Sequence, residues 1–150
     1  LVLKGVNKKV ARDQVYPHLL RFGLEGNEKK YPHQLSGGMR QRAALLRTYM
    51  FSQKITLLDE PFSALDTFTK KDMYDWYLKM MEDLHLSTLF ITHDIDEAIL
   101  LSDRIYLLKG KPGRITDEII IREPRMERKD FSLKEEFLEY KREILKKLKR

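Results

Sequence analysis

Three short stretches of this chain hold residue types that chemistry uses, each at the edge of an apolar segment. Asp59 and Glu60 follow the apolar run Ile55-Thr56-Leu57-Leu58 directly and precede Pro61. Two carboxylates straight after a buried strand are costly to desolvate unless they act. One can hold a hard cation such as Mg²⁺ through oxygen, and the other can orient or deprotonate a water. A second polar strand end, Thr92-His93-Asp94, follows Thr88-Leu89-Phe90-Ile91. The third stretch, Leu35-Ser36-Gly37-Gly38-Met39, sets a hydroxyl and two glycines at a helix start. N–H groups without helical partners favour an anion there, and small residues let a phosphate approach the backbone. Taken singly, each stretch also has a plain structural reading as capping acids or a capped turn.

Periodicity defines the elements that must position these residues. Val10, Val15, Leu19, Leu20 and Leu24 suit an amphipathic helix from Lys8 to Leu24. Pro17 is expected to kink or restart it, and Gly23 and Gly26 to end it. Tyr31-Pro32-His33-Gln34 reads as a loop. Ser36 is the expected N-cap of a helix from about Met39 to Phe51. The runs 55–58 and 88–91 read as buried parallel strands, and ligands of open α/β sheets gather at the carboxyl ends of such strands. Between them, Met73, Trp76, Tyr77, Met80, Met81 and Leu84 form one stripe of a helix starting after Asp66. A further helix runs through Ala98 and Leu101. Arg104–Lys109 and Arg114–Arg122 flank Gly110-Lys111-Pro112-Gly113 as a hairpin. Ser132-Leu133-Lys134-Glu135 has the capping-box pattern of a last helix striped by Leu133, Phe137, Tyr140, Ile144 and Leu148. The alternation predicts an α/β layer with a largely parallel sheet.

Composition narrows the chemistry. The 150 residues are 42% hydrophobic and 35% charged, a globular balance. With no cysteine, disulfides, thiolate metal sites and cysteine nucleophiles are excluded. The net charge of +6 is uneven: from Arg122 to Arg150 there are 11 Lys/Arg against 7 Asp/Glu. A basic tail can meet nucleic acid, anionic lipid or protein, though a solvated helix face is the plainer reading. No stretch approaches the ~20 apolar residues that span a bilayer.

Order and spacing decide between the chemical and the plain readings. Leu35-Ser36-Gly37-Gly38-Met39-Arg40-Gln41-Arg42, Ile55-Thr56-Leu57-Leu58-Asp59-Glu60-Pro61, Ser63-Ala64-Leu65-Asp66 and Thr92-His93-Asp94 occur in that order. The series closely resembles the second half of an ATP-binding-cassette (ABC) ATPase, as its signature motif, Walker B strand, D-loop and switch histidine. The resemblance covers nearly the whole chain. It implies a partial P-loop NTPase (RecA-like) core. Residues 1–52 would close the helical signature subdomain, 53–109 run from Walker B to the switch histidine, and 110–150 form a hairpin and basic helix. Tyr31-Pro32-His33-Gln34 and Pro61-Phe62-Ser63-Ala64-Leu65-Asp66 look like importer subunits. Pro112-Gly113-Arg114-Ile115 with Glu123-Pro124-Arg125 is similar to the nitrate, sulfonate and taurine importer branch, which includes relatives for thiamine precursors.

The resemblance also implies roles. Asp59 would hold Mg²⁺, through water, and Glu60 would polarise the attacking water. His93 would contact the γ-phosphate. Leu35, Ser36, Gly37, Gly38 and Met39 would form the face that meets ATP held by the opposite subunit. Ser63, Ala64, Leu65 and Asp66 would couple the two sites. Gln41 and Arg42 would stabilise the signature helix and the dimer seam. No Gly, four residues, Gly-Lys-Ser/Thr pattern occurs, and the Gly110-Lys111 pair runs into Pro112. The chain is therefore expected to be a C-terminal portion lacking the Walker A half, with little activity alone. Implied partners are a second ATPase subunit head to tail, a transmembrane permease met near Val6 to Gln34, and indirectly a periplasmic or lipid-anchored solute-binding protein. The implied location is the cytoplasmic face of the membrane, with no nucleic-acid partner. Two other readings are a DNA-handling ATPase of the same superfamily, which needs a long coiled-coil insertion, and a non-enzymatic regulatory or interaction module. His18, His33 and His85 read as surface or loop residues, and Tyr31 as packing.

Overall fold

A computed structural model describes residues 5–51 and 54–149. The chain divides into two compact units, one up to Leu89 and one from Phe90. The first contains helices α1 (Lys8–Arg21), α2 (Gly37–Phe51) and α3 (Thr67–Leu84) and strand β1 (Ile55–Asp59). Strand β2 (Ser87–Ile91) begins in it and pairs with β1 across the α3 crossover. The second unit contains α4 (Ile95–Leu101), the hairpin β3 (Arg104–Lys109) and β4 (Arg114–Ile120), and α5 (Glu135–Leu148). The α/β character and the β1–α3–β2 unit match expectation.

In the first unit α3 is the organiser. The Asp66 carboxylate caps it by accepting from the Thr69 amide at 3.1 Å. The predicted stripe is the buried one, with Met73, Tyr77, Met80 and Met81 all inward. Its end closes at His85, in the left-handed region at φ 50°, where the amides of His85 and Leu86 return to the carbonyls of Glu82 and Met81. Helix α1 differs from expectation. It is capped by Asn7 and passes through Pro17 as one element ending at Arg21. Val10 and Leu20 are exposed, and Ala11 is its buried residue. The apolar burial comes after the helix, from Phe22 and Leu24.

Arg42 is turned inward. Its guanidinium lies 4.9 Å from the Trp76 ring centroid. A Cβ on Gly23 would stand 2.6 Å from Arg42 Nη1, and Gly23 has φ 66°. The backbone there favours glycine, and a Cβ would push the Arg42 guanidinium aside. Burial pushes the Arg42 pKa below its usual value, with Asp72 opposing. The residue thus ties α2 to α3 and to the turn after α1, in keeping with the expected stabilising of its helix.

The strands are less buried than expected. Thr56 and Leu58 face inward, while Ile55, Leu57, Leu89 and Ile91 are exposed. Two strands pairing only with each other leave one apolar face without cover among the described residues.

The second unit has its own core of Ile99, Ile105, Leu107, Ile119, Ile121, Phe131, Phe137 and Ile144. Its hairpin is antiparallel from Arg104↔Ile120 to Lys109↔Arg114, with a bulge between Leu107 and Leu108. β4 ends at Ile120, two residues short of the expected Arg122. Ser132 does not cap α5, which starts at Glu135 after a 3₁₀ turn, Phe131–Leu133. Phe131 is fully buried and meets Phe137 edge-on at 5.6 Å, and this anchor holds the turn outside the helix. Leu133 is exposed. Arg128, 3% exposed, donates to the carbonyls of Leu100 (3.1 Å), Ser102 (2.8 Å) and Glu123 (2.7 Å). It closes the end of α4, whose last carbonyls have no helical donors. Among the described residues, no helix is long and apolar enough to cross a membrane.

Candidate functional site

The signature segment forms the start of α2. The helix begins at Gly37, earlier than the Met39 expected, and the Ser36 hydroxyl accepts from the Met39 amide at 3.2 Å. Arg40 Nη1 donates back to the Leu35 carbonyl at 2.9 Å and fixes the entry. The two glycines have a second reason to be small. A Cβ on Gly37 would meet Leu65 Cδ2 at 3.3 Å, and one on Gly38 would meet Thr69 Cγ2 at 3.4 Å and Met73 Sδ at 3.6 Å. The helix start therefore lies directly against the 63–66 loop and the first turns of α3. Sequence reasoning gave these glycines only a phosphate-approach role and missed this contact.

That loop begins at the paired acids. Asp59 is the last residue of β1. Glu60 adopts φ 43°, in the left-handed region that a side chain rarely enters. Such strain collects at functional sites and persists only where the surroundings enforce it. The Ser63 amide (3.2 Å) and hydroxyl (2.9 Å) both donate to the Glu60 carbonyl. Phe62, with no exposure, meets Tyr74 and Tyr77 edge-on at 5.5 and 5.7 Å. The backbone is thus pinned while the residues Asp59 and Glu60 themselves are exposed.

Asp59 offers hard oxygen donors on a fixed strand end. Among the described residues, no group of three or more His, Cys, Asp or Glu could surround a metal. This donor set fits Mg²⁺, which keeps several waters and takes one or two carboxylates beside substrate phosphates.

Asp66 carries a structural task as well. The Thr69 hydroxyl (2.6 Å) and amide hold its carboxyl below the usual carboxylate range. A lowered folded pKa means the contribution is present above the unfolded pKa and is lost as pH falls through the folded one. The α3 cap should therefore persist to pH values somewhat below ~3.9. Helical ellipticity between pH 5 and 2 should fall at lower pH in the parent than in Thr69→Val. Identical acid midpoints would show that the cap is not what is being lost.

His93 belongs to the second unit, exposed between two anchored neighbours. The Thr92 hydroxyl donates to Glu97 Oε2 at 2.7 Å and accepts from the Asp94 amide at 3.0 Å. Asp94 Oδ1 accepts from the amides of Asp96 (3.0 Å) and Glu97 (3.3 Å), starting α4. Glu97 is 2% exposed. The remaining histidines lie elsewhere: His18 sits edge-on to Tyr49 at 5.2 Å and His33 stacks on Tyr31 at 5.8 Å. Tyr31 is exposed and is not core packing.

Signature, paired acids and D-loop are thus assembled in the first unit, and the histidine segment is built in the second. A family profile described as ABC transporter matches residues 4–63. The formylaminopyrimidine import ATP-binding protein of Halalkalibacterium halodurans is 47% identical over 112 residues, 75% of this chain and 45% of that protein. The nitrate import ATP-binding protein of Synechocystis is 40% identical over 124 residues, 83% of this chain and 47% of that protein. The dimeric structure of a bacterial ABC transporter cassette superposes with a TM-score of 0.58 at 30% identity, over 79% of this chain and 50% of that one. The chain spans about half the length of the curated relatives it matches. Motif order and these likenesses agree: the chain belongs to the ABC transporter ATP-binding family.

Proposed function

We propose that this chain carries the hydrolytic acids and the signature face of an ATP-hydrolysing importer subunit. The observation that supports the reading best is the packing of Gly37 against Leu65, in the loop that Glu60 opens, with Gly38 against the first turns of α3. One rigid surface then presents helix-start amides for one phosphate group and leads to the acids serving another. Phosphoryl transfer to water depends on such positioning and electrostatics. Glu60 orients and polarises the water, and its pinned carbonyl keeps the side chain at one exit angle. Asp59 would hold Mg²⁺, and the ion, when bound, would neutralise phosphate charge. His93 contacts the γ-phosphate. Ser36, Gly37 and Gly38 address ATP held by a second subunit in a head-to-tail dimer; the matched bacterial cassette is itself dimeric. Asp66 and its loop link the two sites.

The names of the relatives support import of a small solute through a transmembrane permease. The solute is of the nitrate, sulfonate, taurine or thiamine-precursor class, a reading the formylaminopyrimidine and nitrate names support, with a solute-binding protein acting indirectly at the other face. The working location is the cytoplasmic face of the membrane. A DNA-handling ATPase is disfavoured because the helix before the signature has only 14 residues.

The test uses two proteins. The 150-residue chain, which lacks a Gly-x₄-Gly-Lys-Ser/Thr loop, should show no saturable micromolar Mg-ATP binding in calorimetry at physiological salt. Fused behind a P-loop-bearing segment of a related cassette, it should bind and hydrolyse ATP. A folded fusion that binds ATP, dimerises and never releases phosphate overturns the reading. Saturable binding by the chain alone reveals a phosphate site of another kind.

A further inference from the structure

A carboxylate only 2% exposed, four residues beyond an exposed histidine, calls for an account. Burying a carboxylate is costly unless its hydrogen bonds are made. Glu97 lies in the first turn of α4, where its carboxylate accepts from the Thr92 hydroxyl at 2.7 Å. The same hydroxyl oxygen accepts from the Asp94 amide at 3.0 Å. Asp94 in turn accepts from the amide of Glu97 at 3.3 Å, and its carbonyl from the Ala98 amide at 3.1 Å. Both neighbours of His93 are therefore tied to the start of one helix, and the Thr92 hydroxyl is oriented by a buried acceptor. Ile99, with no exposure, roots that helix in the core. Arg128 holds its far end through the Leu100 and Ser102 carbonyls.

We propose that Glu97 is a positioning residue for His93: acting through Thr92, it fixes the 92–94 backbone so that the imidazole leaves the segment in one direction. The proposal rests on the reading of His93 as the γ-phosphate contact. Anchoring both flanks of His93 removes the backbone's share of the imidazole's motion. In a reaction governed by positioning, a misplacement of about 1 Å far from the bond being broken costs about 10²-fold.

Glu97→Met removes the acceptor at similar volume, whereas Glu97→Gln keeps an oxygen facing Thr92. Thr92→Val and Thr92→Ser form the matching pair. In the full 150-residue chain, amide hydrogen exchange and His93 ring resonances are read by NMR. Glu97→Met and Thr92→Val should speed exchange of the Asp94 amide by about tenfold, the size of one net hydrogen bond. They should shift or broaden the His93 ring signals while core amides of Ile105 and Ile119 keep their protection. Glu97→Gln and Thr92→Ser should restore both signals. In the P-loop fusion, Glu97→Met should lower kcat at least about tenfold with KM for ATP nearly unchanged, because binding rests on other residues. Unchanged Asp94 exchange and His93 signals in folded Glu97→Met overturn the proposal, and Thr92→Val decides the matter if Glu97→Met does not fold. A His93→Ala fusion that hydrolyses ATP normally overturns the role given to His93 and leaves the NMR result standing by itself.

Discussion

Glu60→Gln in the P-loop fusion should lower ATP turnover by about 10²–10⁴-fold, the contribution of a general base, with ATP still bound and the dimer still closed. The structure makes this a clean exchange. Glutamine has the same length, and the backbone at position 60 carries the same left-handed strain, φ 43°, with either side chain. The bonds that pin the loop go to the Glu60 carbonyl, from Ser63, and survive the substitution. The charge and basicity of an exposed side chain are removed. Phosphate release and retained nucleotide measured on one preparation separate chemistry from binding. Near-normal hydrolysis would take Glu60 out of the role.

Gly37→Asp should abolish nucleotide-dependent dimerisation and reduce hydrolysis by at least ~10², the order lost when a helix-start or oxyanion donor is disabled. Two effects act together. A carboxylate is placed where an incoming phosphate must lie, and a Cβ is pressed against Leu65 at 3.3 Å. Gly37→Ala isolates the second effect. Leu65 Cδ2 is the far end of a flexible side chain, so alanine should keep the fold and most of the activity. ATP binding by the monomer should survive in both, since the P-loop lies in the fused segment. Loss of monomer ATP binding by folded Gly37→Asp would show that the signature does not act across a dimer.

How far the sequence revealed this chain depended on how local each cause was. The α3 stripe and the hairpin were legible because their signals repeat every three to four residues or sit in one turn. The start of α3 after Asp66 was legible for the same reason, though the cap itself was not read. The α1 stripe was not, because a mostly polar helix is held by residues beyond its end, Phe22 and Leu24. Ser132 has a capping pattern, but Phe131 in the core overrides it. Arg42 was read by its position next to the signature, whereas its partner Trp76 lies 34 positions away in the sequence. At the site, residue types and order identified the acids, glycines and histidine. Nothing in the pattern marked Glu97 as buried, or Gly37 and Gly38 as sitting against Leu65 and Thr69. Those facts belong to packing, which a linear pattern encodes only indirectly.

The Arg128 closure has a consequence for biosynthesis. Its donors reach back 28 residues to Leu100 and 26 to Ser102. At ~5–20 residues per second, the ribosome delivers the guanidinium about one to six seconds after the carbonyls it will cover. During that interval the residues of β3 and β4 are added to the chain before the one that closes α4. The second unit is thus completed from its C-terminal side.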